Sequence, residues 1–286
     1  MKPASFKYAC PTSVQEAVGL LQHFGDDAKV LAGGQSLVPM MNGRLAQPDV
    51  LIDINQIAEL RVLEVNGGLR IGAGVRQRTA LESPDVQRVV PVIAEALRHV
   101  GHVGIRARGT VGGSIAHADP AAELPTIMLA LDATMTVTGA GGQRTVPAEE
   151  FFRGVFTTAV EYDELLTGVH VAVPGPASRS AFVEVSRRRG DFALVGAAVS
   201  LELIDGAARR VRIALSGVAD RPVLAHRAQE FLEGRDPHDP VVREEAGRLA
   251  AADLDPASDI HAPGSYRKKV SAVLVKRALS NAVNGE

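Results

Sequence analysis

The stretch GTVGGSIAHADPAAELP, residues 109–125, carries most of what decides the reading of this chain. Glycines let successive backbone N–H groups turn inward and let the main chain approach a bulky anion, while Ser and Thr hydroxyls add donors. Gly109, Thr110, Gly112, Gly113 and Ser114 supply that chemistry, whereas His117 and Asp119 in the same stretch are metal-ligand types. A second run of the same kind, Ala32-Gly33-Gly34-Gln35-Ser36, directly follows an apolar strand pattern. Two such loops can clamp the two phosphates of a dinucleotide. Each one alone is equally a tight turn at a strand end, because single glycine motifs are weak signals.

Standard nucleotide motifs do not account for the loops. Gly104 to Thr110 has P-loop spacing, but Thr110 stands where the lysine belongs, so nothing would reach a terminal phosphate. Ile71-Gly72-Ala73-Gly74-Val75 begins like a Rossmann fingerprint, yet position 77 is Gln, and no strand ending in an acid follows at the required distance. A metal-dependent hydrolase is the alternative. His99 and His102 are three apart, and His117 and Asp119 could complete a set, although the spacing fits no common zinc pattern. A non-catalytic assembly protein is a further alternative, against which the intact glycines of both loops speak.

The bulk composition narrows the class. The chain has 286 residues, 46% hydrophobic and 22% charged, with a formal net charge of −2. That is an ordinary globular composition without a basic field for nucleic acid or anionic lipid. The single cysteine, Cys10, excludes an internal disulfide and a Cys-ligated iron–sulfur cluster on this chain. With no apolar signal region near residue 1 and no run long enough to span a bilayer, a cytoplasmic protein is expected.

Patterning divides the chain into three parts, expected at 1–57, 58–175 and 176–286. The first holds a helix over 12–24 with Thr12 or Ser13 as N-cap and Gly25 as its stop, strands at 28–36 and 49–55, and a helical turn containing Pro39. The second opens on a hairpin at Asn66-Gly67-Gly68 and continues with helix over 76–100, broken at Pro84 and Pro91. Arg106 and Arg108 read either as phosphate-neutralising cations or as decoration of an exposed strand. A strand over 165–173 ends at Pro174-Gly175-Pro176. The third part has strands, a turn at Asp205-Gly206 and two helices, the last with Val270, Val273, Leu274, Arg277 and Ala278 at helical spacing, a stripe predicted to pack inward. Between its first strands lies Arg187-Arg188-Arg189-Gly190-Asp191-Phe192, whose phenylalanine reads as core packing or as a ring contact.

Three segments occur in one order: 32–55, 101–125 and RRRGDFALVGAAV at 187–199. Together with GVADRP at 217–222 and DIHAPGSYRKKVSAVLVKRAL at 259–279, they resemble the flavin-binding medium subunit of the molybdenum hydroxylases over essentially the whole chain. That family includes carbon monoxide, nicotine and xanthine dehydrogenases. The resemblance implies an α+β chain: a two-subdomain FAD-binding fold of the vanillyl-alcohol-oxidase (PCMH) type, followed by a C-terminal α/β domain of the CO dehydrogenase flavoprotein type.

It also implies non-covalent FAD, with Ala32, Gly33, Gly34, Gln35 and Ser36 as one diphosphate loop and Gly109, Thr110, Gly112, Gly113 and Ser114 as the other. Glu123, with Asp119 as a nearby second candidate, matches an acid that bonds toward the ribityl and ring. Leu165 or Leu166 matches an apolar ring contact, and Phe192 a side chain against the isoalloxazine. No catalytic base is implied. The chain would pass electrons from two [2Fe–2S] clusters on a small subunit, fed by a molybdenum–pterin large subunit, to an external acceptor, in a dimer of heterotrimers. Three positions depart from the family pattern: Gly43 where an aromatic is expected, Glu123 where Asp is frequent, and Phe192, which cannot donate a hydrogen bond as Tyr could. Neither the complex's substrate nor the acceptor is written in the sequence.

Overall fold

A computed structural model describes residues 2–285. The first part builds β1 (Lys7–Ala9), α1 (Val14–Phe24), β2 (Ala28–Leu31), α2 (Leu37–Asn42) and β3 (Val50–Asp53). Ser13 caps α1 by accepting from the Glu16 N–H at 3.2 Å, and Gly25 ends the helix at φ +56°. The three strands form a parallel sheet in the order β1-β3-β2. Val14, Ala17, Val18 and Leu21 of α1 cover it, packing in one core with Ile52 of β3 and with Ile54.

The second part begins with β4 (Leu63–Val65) and β5 (Leu69–Gly72), the hairpin marked by Asn66 to Gly68. Helices α3 (Gln77–Glu82), α4 (Pro84–Val89) and α5 (Pro91–Leu97) follow, each proline sitting at a helix start where its missing N–H costs nothing. Next come α6 (Val103–Arg108), α7 (Val111–His117), α8 (Glu123–Ala130), β6 (Thr134–Gly139), β7 (Gly142–Pro147), α9 (Ala148–Phe151), β8 (Phe152–Gly154), β9 (Thr157–Thr158) and β10 (Leu165–Val171). The main sheet is antiparallel in the order β4-β5-β10-β6-β7. Residues 103–108 are helical, so the exposed strand, one of the two readings of Arg106 and Arg108, is not formed. Arg106 instead donates to the carbonyls of Val100 and Gly101 at 2.7 and 2.9 Å.

The third part pairs β11 (Ser178–Ser186), β12 (Ala193–Ile204), β13 (Ala207–Ser216) and β14 (Val223–Leu224) in sequence order. It ends in α10 (His226–Leu232), α11 (Pro240–Ala252) and α12 (Gly264–Asn284). Its helix and strand content matches expectation, and every strand pairing is antiparallel. This sheet is covered on both faces. Phe182, Ala198 and Ala214 join the core of the second part, while Val199, Ile213 and Leu215 pack on Leu274, Val275 and Ala278 of α12. Burial on both sides is why β12 reads as a continuous apolar run instead of alternating.

The inward stripe of α12 differs from the predicted one. Arg267, Ser271, Leu274, Val275, Ala278, Leu279 and Ala282 are buried, whereas Val273 is 53% exposed and Arg277 is exposed as well. The stripe is set by the polar Arg267 and Ser271 as well as by apolar residues, and a hydropathy pattern does not register those two. Leu274→Ala should therefore cost about 2–5 kcal/mol of stability, and Val273→Ala no more than about 0.5 kcal/mol, as read from denaturant unfolding. Equal costs would mean the helix is rotated from this register.

Candidate functional site

The two glycine loops meet backbone to backbone. A Cβ built on Gly33 would lie 2.5 Å from the Arg108 carbonyl oxygen and 2.7 Å from Gly109 Cα. No residue larger than glycine fits there unless the loops move apart. Gly34 takes φ +70°, a conformation that an L side chain rarely adopts. The N–H groups of Gly33, Gly34, Gln35 and Ser36 meet no acceptor among the described residues, while the Gln35 side chain folds back to donate to the Gly33 carbonyl at 3.0 Å. Unpaired backbone donors grouped at a turn make a concavity suited to an anion.

The second loop is built differently. Thr110 is the N-cap of α7, its hydroxyl accepting from the Gly113 N–H at 2.9 Å. Val111 and Gly112 donate to the carbonyls of Val75 and Ala73 at 2.9 and 3.0 Å, so their N–H groups are already used. Gly112 is glycine for packing, since a Cβ would lie 2.4 Å from that of Ala73. At Gly113 a Cβ would meet the capping hydroxyl of Thr110 at 2.7 Å and lie 3.6 Å from Ala32 Cβ. A side chain at 113 thus disturbs the cap as well as the gap between the loops.

α7 runs from this junction toward a cavity. Its seven residues span about 10 Å at roughly 1.5 Å per residue, and Ala118 ends it in the left-handed conformation at φ 50°. Asp119, which follows, lines a cavity of about 590 Å³ together with Val155, Arg187, Asp191, Phe192 and Arg267. The third part of the chain is fastened here. Gly217 N–H donates to the Pro120 carbonyl at 2.9 Å. Arg267 donates to the carbonyls of Leu194 and Gly217, and to Asp259 Oδ2 at 2.7 Å. The Ala262 and His261 N–H groups, with Arg267, hold the Asp259 carboxyl down at about 2.

Phe192 is 69% exposed at this cavity, so it is not the core residue its spacing also allowed. The turn before it is braced by Asp191, whose carboxylate pairs with Arg187 at 3.1 Å and Arg188 at 3.4 Å. Leu165 and Leu166 are buried on opposite faces of β10, Leu165 in the core of the first part and Leu166 in that of the second. Neither lines the cavity; their apolar character serves the two cores.

Glu123 also lies away from the cavity lining, buried at the start of α8. Burial pushes its carboxyl up to about 8, against a smaller opposing pull from its own backbone N–H and from His99. His99 Nδ1 sits 3.3 Å from Glu184 Oε1, and that partner raises the imidazole's pKa. Glu95 accepts from the Phe182 N–H at 3.2 Å, and burial raises its carboxyl.

The proposed metal set is not assembled. His99 faces Glu184, His102 lies against Gly190, and His117 stacks on Phe156 with ring centroids 4.7 Å apart. Among the described residues no three His, Cys, Asp or Glu side chains are placed to hold a metal ion. Four contributors had no role assigned from the sequence: Asn55, Arg76, Arg267 and Phe156. The first three lie within or beside quoted motifs, but nothing in their spacing shows what they touch.

The paired glycine loops are thus joined by a short helix to a cavity at which an aromatic ring is exposed. Comparison with known proteins gives the family. Residues 4–174 match the FAD binding domain in molybdopterin dehydrogenase, and residues 180–282 match the CO dehydrogenase flavoprotein C-terminal domain. The chain is 38% identical to the carbon monoxide dehydrogenase medium chain of Hydrogenophaga pseudoflava, covering 99% of this chain and 98% of that one. Carbon monoxide dehydrogenase from H. pseudoflava superimposes with a TM-score of 0.97 at 38% identity, over 99% of both chains. Quinoline 2-oxidoreductase from Pseudomonas putida 86 superimposes at 0.94 and 38%, over 100% of this chain and 99% of that one. The chain belongs to the FAD-binding medium subunits of the molybdenum hydroxylases, and is an oxidoreductase subunit. Among the described residues no helix is long and apolar enough to cross a membrane.

The buried acid behind the cavity has a measurable consequence. A carboxyl whose folded pKa lies near 8 against an ordinary 4.5 binds its proton more tightly in the folded state. Its contribution to stability is complete below the ordinary value and is lost as pH rises through that window. The raised His99 acts in the same direction, with Glu95, Asp119 and Glu184 as the other charged neighbours. The thermal midpoint of the chain should fall between about pH 5.5 and about pH 8.5, and Glu123→Gln should flatten that fall without abolishing it. A variant as steep as the parent would show that Glu123 ionises normally in the fold.

Proposed function

We propose that this chain holds FAD with its diphosphate between the loops Ala32–Ser36 and Gly109–Ser114 and its ring system at the cavity of Asp119 and Phe192. The observation that carries this reading is the contact at Gly33, where two backbones approach with no space for a Cβ beside four N–H groups that lack acceptors. When bound, FAD supplies one- and two-electron redox chemistry.

The chain's own residues bind and orient. The free N–H groups of the first loop neutralise phosphate oxygens, and α7 fixes the distance from them to the cavity. Asp119 is held by an N–H bond from Ala121 at 2.8 Å, which directs its free oxygen. Phe192 shields one face of the ring sterically, since it has no donor. No group attaches the flavin covalently, because the first loop offers neither His nor Cys. Glu123 acts from behind α8 through the charge it withholds near neutral pH.

In this reading the chain is the electron-transfer subunit of a heterotrimer assembled as a dimer of trimers. Electrons enter from [2Fe–2S] clusters of a small subunit, supplied by a molybdenum–pterin centre on a large one, and leave to an external acceptor. One cysteine cannot ligate such clusters here, which supports placing them on a partner.

The test is the visible spectrum of the full chain, alone and co-expressed with its partners, after FAD addition and desalting. About one FAD per chain is expected. Gly33→Val, which forces the loops apart, should hold less than about a tenth of that, in line with an overpacking cost near 1–3 kcal/mol placed directly on the site. Normal flavin content in Gly33→Val would overturn the loop assignment.

A further inference from the structure

The two glycine loops are joined by side chains that belong to neither. Asn55 stands two residues beyond the end of β3, and Asp53 Oδ1 holds it there, accepting from its backbone N–H at 2.8 Å and its amide at 2.5 Å. Asp53 is held in turn by the Tyr8 hydroxyl, which donates to Oδ2 at 2.5 Å. From this seat Asn55 Nδ2 donates to the Ala32 carbonyl at 2.8 Å, at the opening of the first loop. Its Oδ1 accepts from Arg76 Nη2 at 2.6 Å. Arg76 Nη1 then donates to the Arg108 carbonyl, just ahead of Gly109.

That carbonyl is the same atom against which Gly33 packs. The connection therefore runs Ala32 C=O, Asn55, Arg76, Arg108 C=O, and closes around the point where the loops touch. Arg76 also pairs with Thr110 of the second loop in an isolated antiparallel bridge.

The fork geometry matters. A guanidinium presents donors in one plane and at fixed separation, so it can hold two acceptors at a set distance, which an ammonium cannot. Charge points the same way. Arg76 is partly desolvated, and Arg108 and Arg61 lie near enough to disfavour its cation further. The three cations repel one another, and the Asp53 carboxylate offsets that repulsion at Arg76 only in part.

We propose that Asn55 and Arg76 form a clamp that sets the separation of the two glycine loops, and that this separation makes the site selective for a flavin carrying a diphosphate. Both are positioning residues, acting on the cofactor through the loop carbonyls. The proposal rests on the reading of the loops as the FAD diphosphate site. A purely structural strut would bear on folding alike for every ligand. A clamp on the diphosphate distinguishes FAD from riboflavin, which carries the same ring and no phosphate.

The experiment titrates the full-length chain, stripped of flavin, with FAD and separately with riboflavin, following flavin fluorescence. The proteins are the parent, Arg76→Met, Arg76→Lys, Asn55→Ala and the Asn55→Ala/Arg76→Met double variant, with thermal midpoints of the flavin-free proteins measured in parallel. Loss of a charge-assisted bond pair should weaken FAD about tenfold or more in Arg76→Met and Asn55→Ala, with riboflavin unchanged within about twofold. The double variant should cost little more than the harsher single one, because the two residues act as one unit. Arg76→Lys, which keeps the charge and loses the planar fork, should restore only part of the FAD affinity. This conservative variant keeps the test decisive if the Met variant fails to fold.

FAD binding within twofold of the parent in both single variants, or equal losses for FAD and riboflavin, would overturn the clamp while leaving the loop reading intact. A parent chain that takes up riboflavin as well as FAD would overturn the selectivity directly. A parent that binds no flavin, alone or with its partners, would remove the reading beneath the proposal and the proposal with it.

Discussion

The approach of Gly33 to the Arg108 carbonyl, with 2.5 Å where a Cβ would stand, constrains much of the surrounding structure. Two chain segments about 75 positions apart must arrive at van der Waals contact with their backbones in set orientations. β2 must end two residues before Gly33, α6 must stop at Arg108, and α7 must begin three residues later, behind the Thr110 cap. Such a meeting could not be held by the loops themselves, since glycine carries the largest conformational entropy of any residue. It is held from outside, by the parallel sheet on one side, by Ala73 and Val75 accepting from α7 on the other, and by the Asn55–Arg76 connection between them.

From that junction the site has a direction. Backbone donors lie at one end, a short helix crosses the middle, and a cavity rimmed by Phe192, Val155 and Asp119 lies at the other end. The third part of the chain completes that far end. Its attachment is polar and specific, with Gly217 bonded to Pro120 and the buried Arg267 gathering two carbonyls and Asp259. The buried arginine makes three hydrogen bonds, one of them to the Asp259 carboxylate, which offset part of the cost of removing its charge from water, while its Nε–H is buried without a partner. Behind α8, the Glu95, His99, Glu123 and Glu184 group lies in the seam between the second and third parts. Charge in that seam depends on protonation.

Relatives whose names refer to carbon monoxide and to quinoline share this backbone at TM-scores of 0.97 and 0.94. Differences in what those enzymes act on are therefore not expressed in the fold of this subunit. Phe192, exposed at the cavity, carries no hydrogen-bond donor and can act there only sterically.

Local chemistry was legible from the sequence wherever neighbouring residues decide the outcome. Ser13 and Gly25 bound α1, Asn66 to Gly68 turn the first hairpin, prolines 84 and 91 restart helices, and both glycine loops stand where their residues placed them. The family, too, was readable, because its long motifs keep their order along the chain. Tertiary structure alone decided which side of α12 is buried, that residues 103–108 coil into a helix, and that Leu165 and Leu166 serve opposite cores. It alone separated the four candidate metal ligands, exposed Phe192, and joined Asn55 to Arg76. Caps, turns and breaks depend on bonds reaching only a few residues along the chain, so composition and spacing determine them. Burial and side-chain pairing depend on segments tens of residues apart meeting in space, and no local pattern encodes that meeting.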